Sequence, residues 1–573
     1  MFYFENLLRN EYFPAELPPC FTTESFADNH LHIIEYIEGK EAKPSTPLIF
    51  SGYKNSNSRR KFAVPNPFNY AKAASLISEK SDHIYSVLEK SKFSLTSPIR
   101  SIPDKDECYK RRVKKISESK NEIQKLYQDN HYEVRIDIQS FFESIYTHSV
   151  AWAMHTKALI KKNNNKNDKS LTGNILDKCL QNMNSGQTNG ILVGNSISRI
   201  ISEIILCTVD SEILNKHKDI AYLRFVDDYY IFVKDSSNIN NILATFRQEL
   251  AKYGLLLNEN KLQIIEGPFI YGKPWVEHMK AYTHLRPQIL LEKAIIEYRS
   301  FQDVSIFKYA LKVIRTKYFT KVEWQDIEPI IINIWVRFPN LSNIISLIFK
   351  NNEDKINKQL LKKSIYRIVE TNLLLKNDEE VIWAVWICKQ LNIKISQMYI
   401  KKILESDNWL AIIVILDIIS GRKNENSIKD IINKFRVRLY IEYFKDDENK
   451  NEMFSSIWLL AYEADKNKWL NTSSSENFCV IKNYEFFNKL KTLGIDFYDS
   501  DYSYEKISNK SKSKIKSDEE IYITKKELSN MLKMFRNEIE TLKKSENKVF
   551  DEGDIFDTVV ERVFANLDDE DDY

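Results

Sequence analysis

The sequence predicts an α+β region followed by an all-α region. Three observations carry this. Residues 221–226 and 229–233 are apolar, aromatic-rich runs of strand character on either side of the Asp227–Asp228 pair. Val134, Ile136 and Ile138 alternate with Arg135 and Asp137, the two-residue period of a strand. From about residue 290 that texture gives way to helical patterns separated by Asn, Asp and Lys breaks.

Bulk composition bounds the rest. A chain of 573 residues with 43% hydrophobic content can bury two or three cores. With only 12 Gly and 14 Pro it is not a low-complexity chain. Its 83 basic and 80 acidic residues leave a net charge of +3, so a nucleic-acid surface has to be a local basic face. Cys20, Cys108, Cys179, Cys207, Cys388 and Cys479 form no CxxC or Cys/His cluster, which argues for reduced thiols over a zinc site. Met1 to Asn10 lacks the apolar run of a signal peptide. The longest apolar stretches, 381–388 and 409–416, fall far short of a bilayer span. The expectation is a cytoplasmic protein with no membrane partner.

Asp227 and Asp228 read as the tip of a tight hairpin. Two carboxylates at one tip repel unless cations sit between them, and Asp with water and substrate phosphates is the usual Mg²⁺ ligand set. An ordinary solvated turn has the same local pattern. Asp137, at the end of its own strand, would add the third carboxylate needed to bridge two metal ions in phosphoryl transfer, provided the two strands are neighbours. Alone, it is equally a cap for the helix that follows.

The order of these stretches resembles a reverse transcriptase palm: strand, Asp137, the Phe141–Phe142 pair, a Gly/Ser loop, Phe225-Val226-Asp227-Asp228, then residues 254–261 as Gly-Leu-Leu-Leu-Asn-Glu-Asn-Lys. Residues 12–23, 64–67, 144–149 and 194–203 resemble the bacterial abortive-infection and defence-associated (AbiK-like) reverse transcriptases. The resemblance spans residues 10 to about 280, and more weakly to about 500.

It implies DNA synthesis from dNTPs with Mg²⁺ or Mn²⁺ held by Asp137, Asp227 and Asp228, with Ile138 beside them in the metal set. It implies that Lys261 is a general acid near the leaving pyrophosphate, although an exposed lysine after a strand looks the same. Arg60 or Lys61, in the basic run 59–61, would hold the nucleotide triphosphate, though the run also reads as a solvated turn. Phe142 would pack under the sugar and exclude a 2′-hydroxyl; a core aromatic is the plainer alternative. Gly194 would let the backbone approach a base or sugar, with Ser198 nearby in the nucleotide site. Templated reverse transcriptases usually carry Gln-Gly and Ser-Pro here. This chain has Val193-Gly194 and Ser198-Arg199, which puts ordinary templated copying in doubt.

The resemblance also implies anti-phage defence by abortive infection, homo-oligomers, and untemplated synthesis primed by a tyrosine hydroxyl, leaving DNA covalently attached. A templated enzyme copying a bound non-coding RNA and an inactive nucleic-acid-binding scaffold are the alternatives. Among 30 tyrosines, Tyr53 is the first candidate primer, because residues 51–58 read as a polar loop. Tyr36 is the second, although Ile33, Ile34 and Ile37 place it on a helix.

The organisation expected is reverse transcriptase fingers and palm over residues 1–280, an α-helical, HEAT-like repeat region over 281–500, and a charged tail over 501–573. Residues 110–125 read as a basic helix, and 161–169 and 473–475 as surface loops. Residues 508–516 read as flexible and 518–544 as a charge-paired helix, while 551–573 hold ten acids against Arg562 alone.

Overall fold

The computed structural model describes residues 2–55, 58–98, 116–162, 168–218, 220–269, 273–315, 317, 319–422, 425–444, 455–473, 476, 478 and 484–504. The expectations for 163–167, 474–475 and the tail from 505 onward, and for the first half of the basic run 110–125, lie outside them. Residues 1–114 and 122–502 form one compact unit. The described part of the other unit is the start of the helix Ile116–Asp129, up to residue 121, with residues 503–504.

Strands β1 (Leu48–Asn55) and β2 (Ser58–Val64) form an antiparallel ribbon. Residues 51–55 and Ser58 therefore lie in strands, not in the loop expected, while 56–57 fall outside the described residues. Alternate residues of β1 are buried, and Phe50 stacks on Phe62 across the ribbon, a cross-strand aromatic pair of the kind that sets register. Helix α1 (Pro67–Glu79) follows, with Pro67 at its first turn and Asn66 capping it through the Phe68 N–H.

The central sheet is antiparallel, in the order β4-β5-β3-β6: β3 (Tyr132–Ile136), β4 (Ala221–Phe225), β5 (Asp228–Val233) and β6 (Gln263–Glu266). β3 pairs with β5 so that Ile136 faces Tyr229. One further step in that register brings Asp137 opposite Asp228. The strands on which the acids depend are thus neighbours.

Helix α2 (Ser196–Lys216) is capped by Asn195 and packs into the core. Its buried residues run almost without break from Ser196 to Asp210, the pattern of a helix covered on every side. Helix α3 (Ile239–Ala251) buries Ile242, Leu243, Phe246 and Leu250 along one stripe.

Beyond β6 the described residues form helices and their connections, apart from one β-bridge. The helices are α4 (Pro274–Tyr282), α5 (Pro287–Phe301), α6 (Ser305–Arg315), α7 (Lys321–Arg337), α8 (Ser342–Asn351), α9 (Lys358–Leu374), α10 (Asp378–Gln390), α11 (Gln397–Leu404), α12 (Trp409–Ser420), α13 (Asn426–Leu439), α14 (Trp458–Lys466) and α15 (Glu485–Thr492). They stack in two rows. α6, α8, α10, α12 and α14 each pack on the next of their row, and so do α5, α7, α9, α11 and α13. No single described helix is long and apolar enough to cross a membrane.

The end of the helical region returns to the start of the chain. Phe21 bridges Tyr498, the Thr22 N–H donates to the Phe497 carbonyl (3.1 Å), and the Asp499 N–H donates to the Cys20 carbonyl (2.7 Å). One apolar core therefore runs through both regions.

Candidate active site

Phe225 faces Asp228 across the β4–β5 hairpin, so Val226 and Asp227 make the turn and Asp228 opens β5. Val226 has a φ of 55°, a strained value for a β-branched residue. Both of its main-chain groups are held. Its N–H donates to Thr96 Oγ1 (3.0 Å), and its carbonyl accepts from Arg224 (2.9 Å).

Arg224 is fully buried, 0% exposed, beneath this turn. It donates to Asp210 Oδ2 (3.0 Å) and to Glu203 Oε2 (3.0 Å), both on α2. Burial alone would raise Glu203, but the Arg224 charge and bonds from Arg224, Thr96 and Ser94 outweigh it and hold the carboxyl below its usual range. Thr96 links the two halves of the arrangement, since its hydroxyl also donates to Glu203 Oε1 (2.7 Å). The sequence reading assigned none of these four residues a role. A signal was there: an arginine among Tyr222, Leu223 and Phe225 in a strand facing the core has to have buried acidic partners.

The catalytic candidates crowd one another. Burial first, then the charges of Asp228 and Asp137, push Asp227 up to about 6, with Arg60 opposing. Surrounding protein atoms also raise Asp228, and the adjoining Asp137 carboxylate adds to this. Asp137 is nearly buried. Its Oδ2 accepts from Lys261 Nζ (3.0 Å) and Asn258 Nδ2 (3.1 Å), and its carbonyl accepts from the Asn258 N–H (2.8 Å). Lys261 stands on a short 3₁₀ turn, Glu259–Lys261. Ile138 is buried and bridges Leu257, so its main-chain carbonyl is the only group it can offer a metal. Among the described residues no three His, Cys, Asp or Glu side chains are gathered into a ready metal cage.

The ribbon separates the basic residues. Arg60 pairs with Gly52 and shares the face of Phe62, and its charge acts on Asp227. Lys61 and Arg59 lie on the other face, and Arg59 is engaged by Glu380. Both Arg60 and Lys61 are exposed.

Phe142 is half-buried, its ring 5.2 Å from that of Phe141, on the short helix that follows Asp137. Gly194, with a φ of 106°, has no room for a side chain: a Cβ would lie 2.6 Å from Pro14 and 3.1 Å from Phe62. It makes room for neighbouring side chains of the protein. Ser198 is buried in the first turn of α2, where its N–H donates to Asn195 Oδ1 (3.0 Å) while its hydroxyl has no partner among the described residues.

The two tyrosines do not sit on loops. Tyr53 is in β1, its N–H donating to Glu379 (2.8 Å), and the charged and phenolic groups acting on its phenol include Tyr298, Glu380, Arg337 and Arg59. Tyr36 is helical, as expected. Its hydroxyl donates to Glu485 (3.1 Å), and Lys40 lies over its ring. Burial pushes both phenols up, away from the phenolate form.

Residues 80–298 match the model of the reverse transcriptase (RNA-dependent DNA polymerase) family. The chain carries a reverse transcriptase domain. The match takes in all three acids, Lys261 and Arg224. A comparison with curated proteins found no match. Solved telomerase structures overlap it loosely. Apo telomerase from Candida tropicalis is 12% identical at a TM-score of 0.30, covering 82% of this chain and 77% of that one. A form truncated from its C-terminal domain is 14% identical at 0.26, covering 44% of this chain and 57% of that one. Candida albicans telomerase with a fragment of telomeric RNA is 12% identical at 0.28, covering 61% and 67%. The chain spans little more than half of the truncated form. No residue here takes a role from these overlaps.

Proposed function

We propose that this protein is a DNA polymerase of reverse-transcriptase type that uses dNTPs. The observation that carries the reading is the register of β3 on β5, which aligns Asp137 with Asp228 beside Asp227. An oxygen-only donor set with surplus negative charge fits Mg²⁺ or Mn²⁺, whose other ligands are water and substrate phosphates. Asp137, Asp227 and Asp228, with the Ile138 carbonyl, would hold the cations. Bound, these supply activation of the attacking hydroxyl and charge neutralisation at the leaving oxygen. Arg60 grips the triphosphate by its fork. Lys261 moves from Asp137 to protonate the departing pyrophosphate. Phe142 excludes a 2′-hydroxyl. Arg224 and Thr96 keep the strained turn in place.

The finer reading rests on the resemblance to abortive-infection reverse transcriptases: anti-phage defence in the cytoplasm, tyrosine-primed untemplated synthesis, and homo-oligomers built on a HEAT-like region. The two-row stacking of α5–α14 supports that last architecture. Templated copying of a bound RNA is the second reading, in keeping with the description of the matching family as RNA-dependent.

The experiment is incorporation of labelled dNTPs by wild type and Asp227→Ala, with products resolved on denaturing gels before and after protease. The reading expects wild-type incorporation, none in the variant, and label that leaves the protein only after proteolysis. Equal incorporation in both overturns the polymerase reading. Freely separating product overturns self-priming, and product complementary to a co-purified RNA selects the templated reading. Mass spectrometry of nuclease-trimmed protein locates the primer, at Tyr53, Tyr36 or elsewhere. Light scattering at micromolar concentration giving a mass near 67.6 kDa would overturn the oligomer.

A further inference from the structure

Three consecutive acids at the start of α10 meet the outer edge of β1. The Ser51 N–H donates to Asp378 Oδ2 (2.8 Å), and the Tyr53 N–H donates to Glu379 Oε2 (2.8 Å). Arg59 spans both oxygens of Glu380, with its second nitrogen at 2.6 Å, and ties itself to the Ser51 carbonyl (3.0 Å).

Acids at a helix N-terminus are favourable while exposed to water. Here Glu379 is 5% and Glu380 2% exposed, and burying adjacent carboxylates is costly unless each has a donor. The donors come from the ribbon. The unpaired N–H groups of an edge strand, normally left to solvent, are the ones used. The approach is close enough that a Cβ on Gly52 would lie 3.0 Å from Glu379. The other edge is held as well, the Ala63 N–H donating to the Val193 carbonyl (3.1 Å). A second tie joins the same helix to the N-terminal region, where Trp383 Nε1 donates to the Glu16 carbonyl (2.7 Å).

Arg60 follows Arg59 directly and lies on the opposite face of the ribbon, near enough for its charge to act on Asp227. A ribbon gripped at Arg59 holds Arg60 in one place. A free two-stranded ribbon would not, being marginal on its own.

We propose that Glu380, acting through Arg59, is a positioning residue that fixes the β1–β2 ribbon so that Arg60 stands ready for the triphosphate of the incoming nucleotide. The all-α region, outside most of the family match, thereby takes part in building the nucleotide site. This rests on the polymerase reading above.

The test compares full-length wild type, Glu380→Gln and Arg59→Lys. Arg59→Lys keeps the charge but loses the fork, at a side chain exposed enough to tolerate it. The readouts are KM and kcat for dNTP, and hydrogen exchange of residues 48–64. The expected result is KM raised roughly tenfold with kcat within about twofold, the mark of lost substrate binding. Exchange of the Ser51 and Tyr53 amides should quicken in both variants, with Arg59→Lys the milder. An active wild type whose variants keep its KM, or lose kcat with KM unchanged, overturns the inference, as does unchanged exchange. A wild type that incorporates nothing overturns the polymerase reading instead, and the role of Arg60 with it.

Discussion

The ammonium of Lys261 stands 3.0 Å from the carboxylate of Asp137, the acid that faces the Asp227–Asp228 hairpin. One lysine thus partners a proposed cation ligand and is also the proposed proton donor. Lys261→Gln should lower kcat about 100-fold, the usual scale for loss of a positioned acid, with KM little changed. Steady-state incorporation at saturating dNTP and metal measures it, and a kcat within threefold of wild type would remove Lys261 from the chemistry.

Removing Arg224 leaves Glu203 and Asp210 buried without their cation. Arg224→Met should destabilise the protein by about 3–5 kcal/mol, the usual cost of breaking a buried pair from one side. Denaturant unfolding measures this. Thr96→Val keeps the arginine but removes the partner of the strained Val226 N–H. It should cost about 1–3 kcal/mol and, by letting the turn shift, lower kcat roughly tenfold.

Phe142→Ala should relax sugar selection. Discrimination against an added hydroxyl by an apolar wall is worth at most about 100-fold, so the ratio of kcat/KM for dNTP over rNTP should fall by up to that factor. Competition between dGTP and GTP reads the ratio. No change would return Phe142 to an ordinary packing role.

Glu463 on α14 is fully buried, and burial pushes it up to about 8 despite bonds from the Phe497 and Tyr498 N–H groups. An unfolded glutamate titrates near about 4.3, so the native state binds this proton the more tightly. Its contribution is full below about pH 4.3 and is lost as pH rises toward 8. Glu379, pushed up to about 8, and Asp378, up to about 6, carry the same sign. Glu463→Gln, whose oxygen still accepts both amides, should therefore gain on wild type in Tm as pH goes from 5 to 8. Calorimetry across that range checks it. A constant difference would mean that Glu463 ionises normally.

The sequence by itself determined the local elements and the chemistry available to them. Alternation around Asp137 and the apolar arms around Asp227 and Asp228 depend on near neighbours, and they form where their patterns place them. The helical texture after residue 290 is local in the same sense. Tertiary structure alone decided which of those elements meet. Residues 51–58 read as a polar loop because half of a ribbon exposed on one face looks polar, and only pairing with β2 and cover from α10 make 51–55 part of a strand. Arg59, Arg60 and Lys61 are equivalent in the sequence until strand pairing puts Arg60 on the face opposite the other two and gives Arg59 to Glu380, 321 residues away. Gly194 is held by Pro14, and Arg224 by acids a helix away. Contacts between distant segments leave no local period to read, since each partner's pattern is satisfied equally well by water until the chain closes around it.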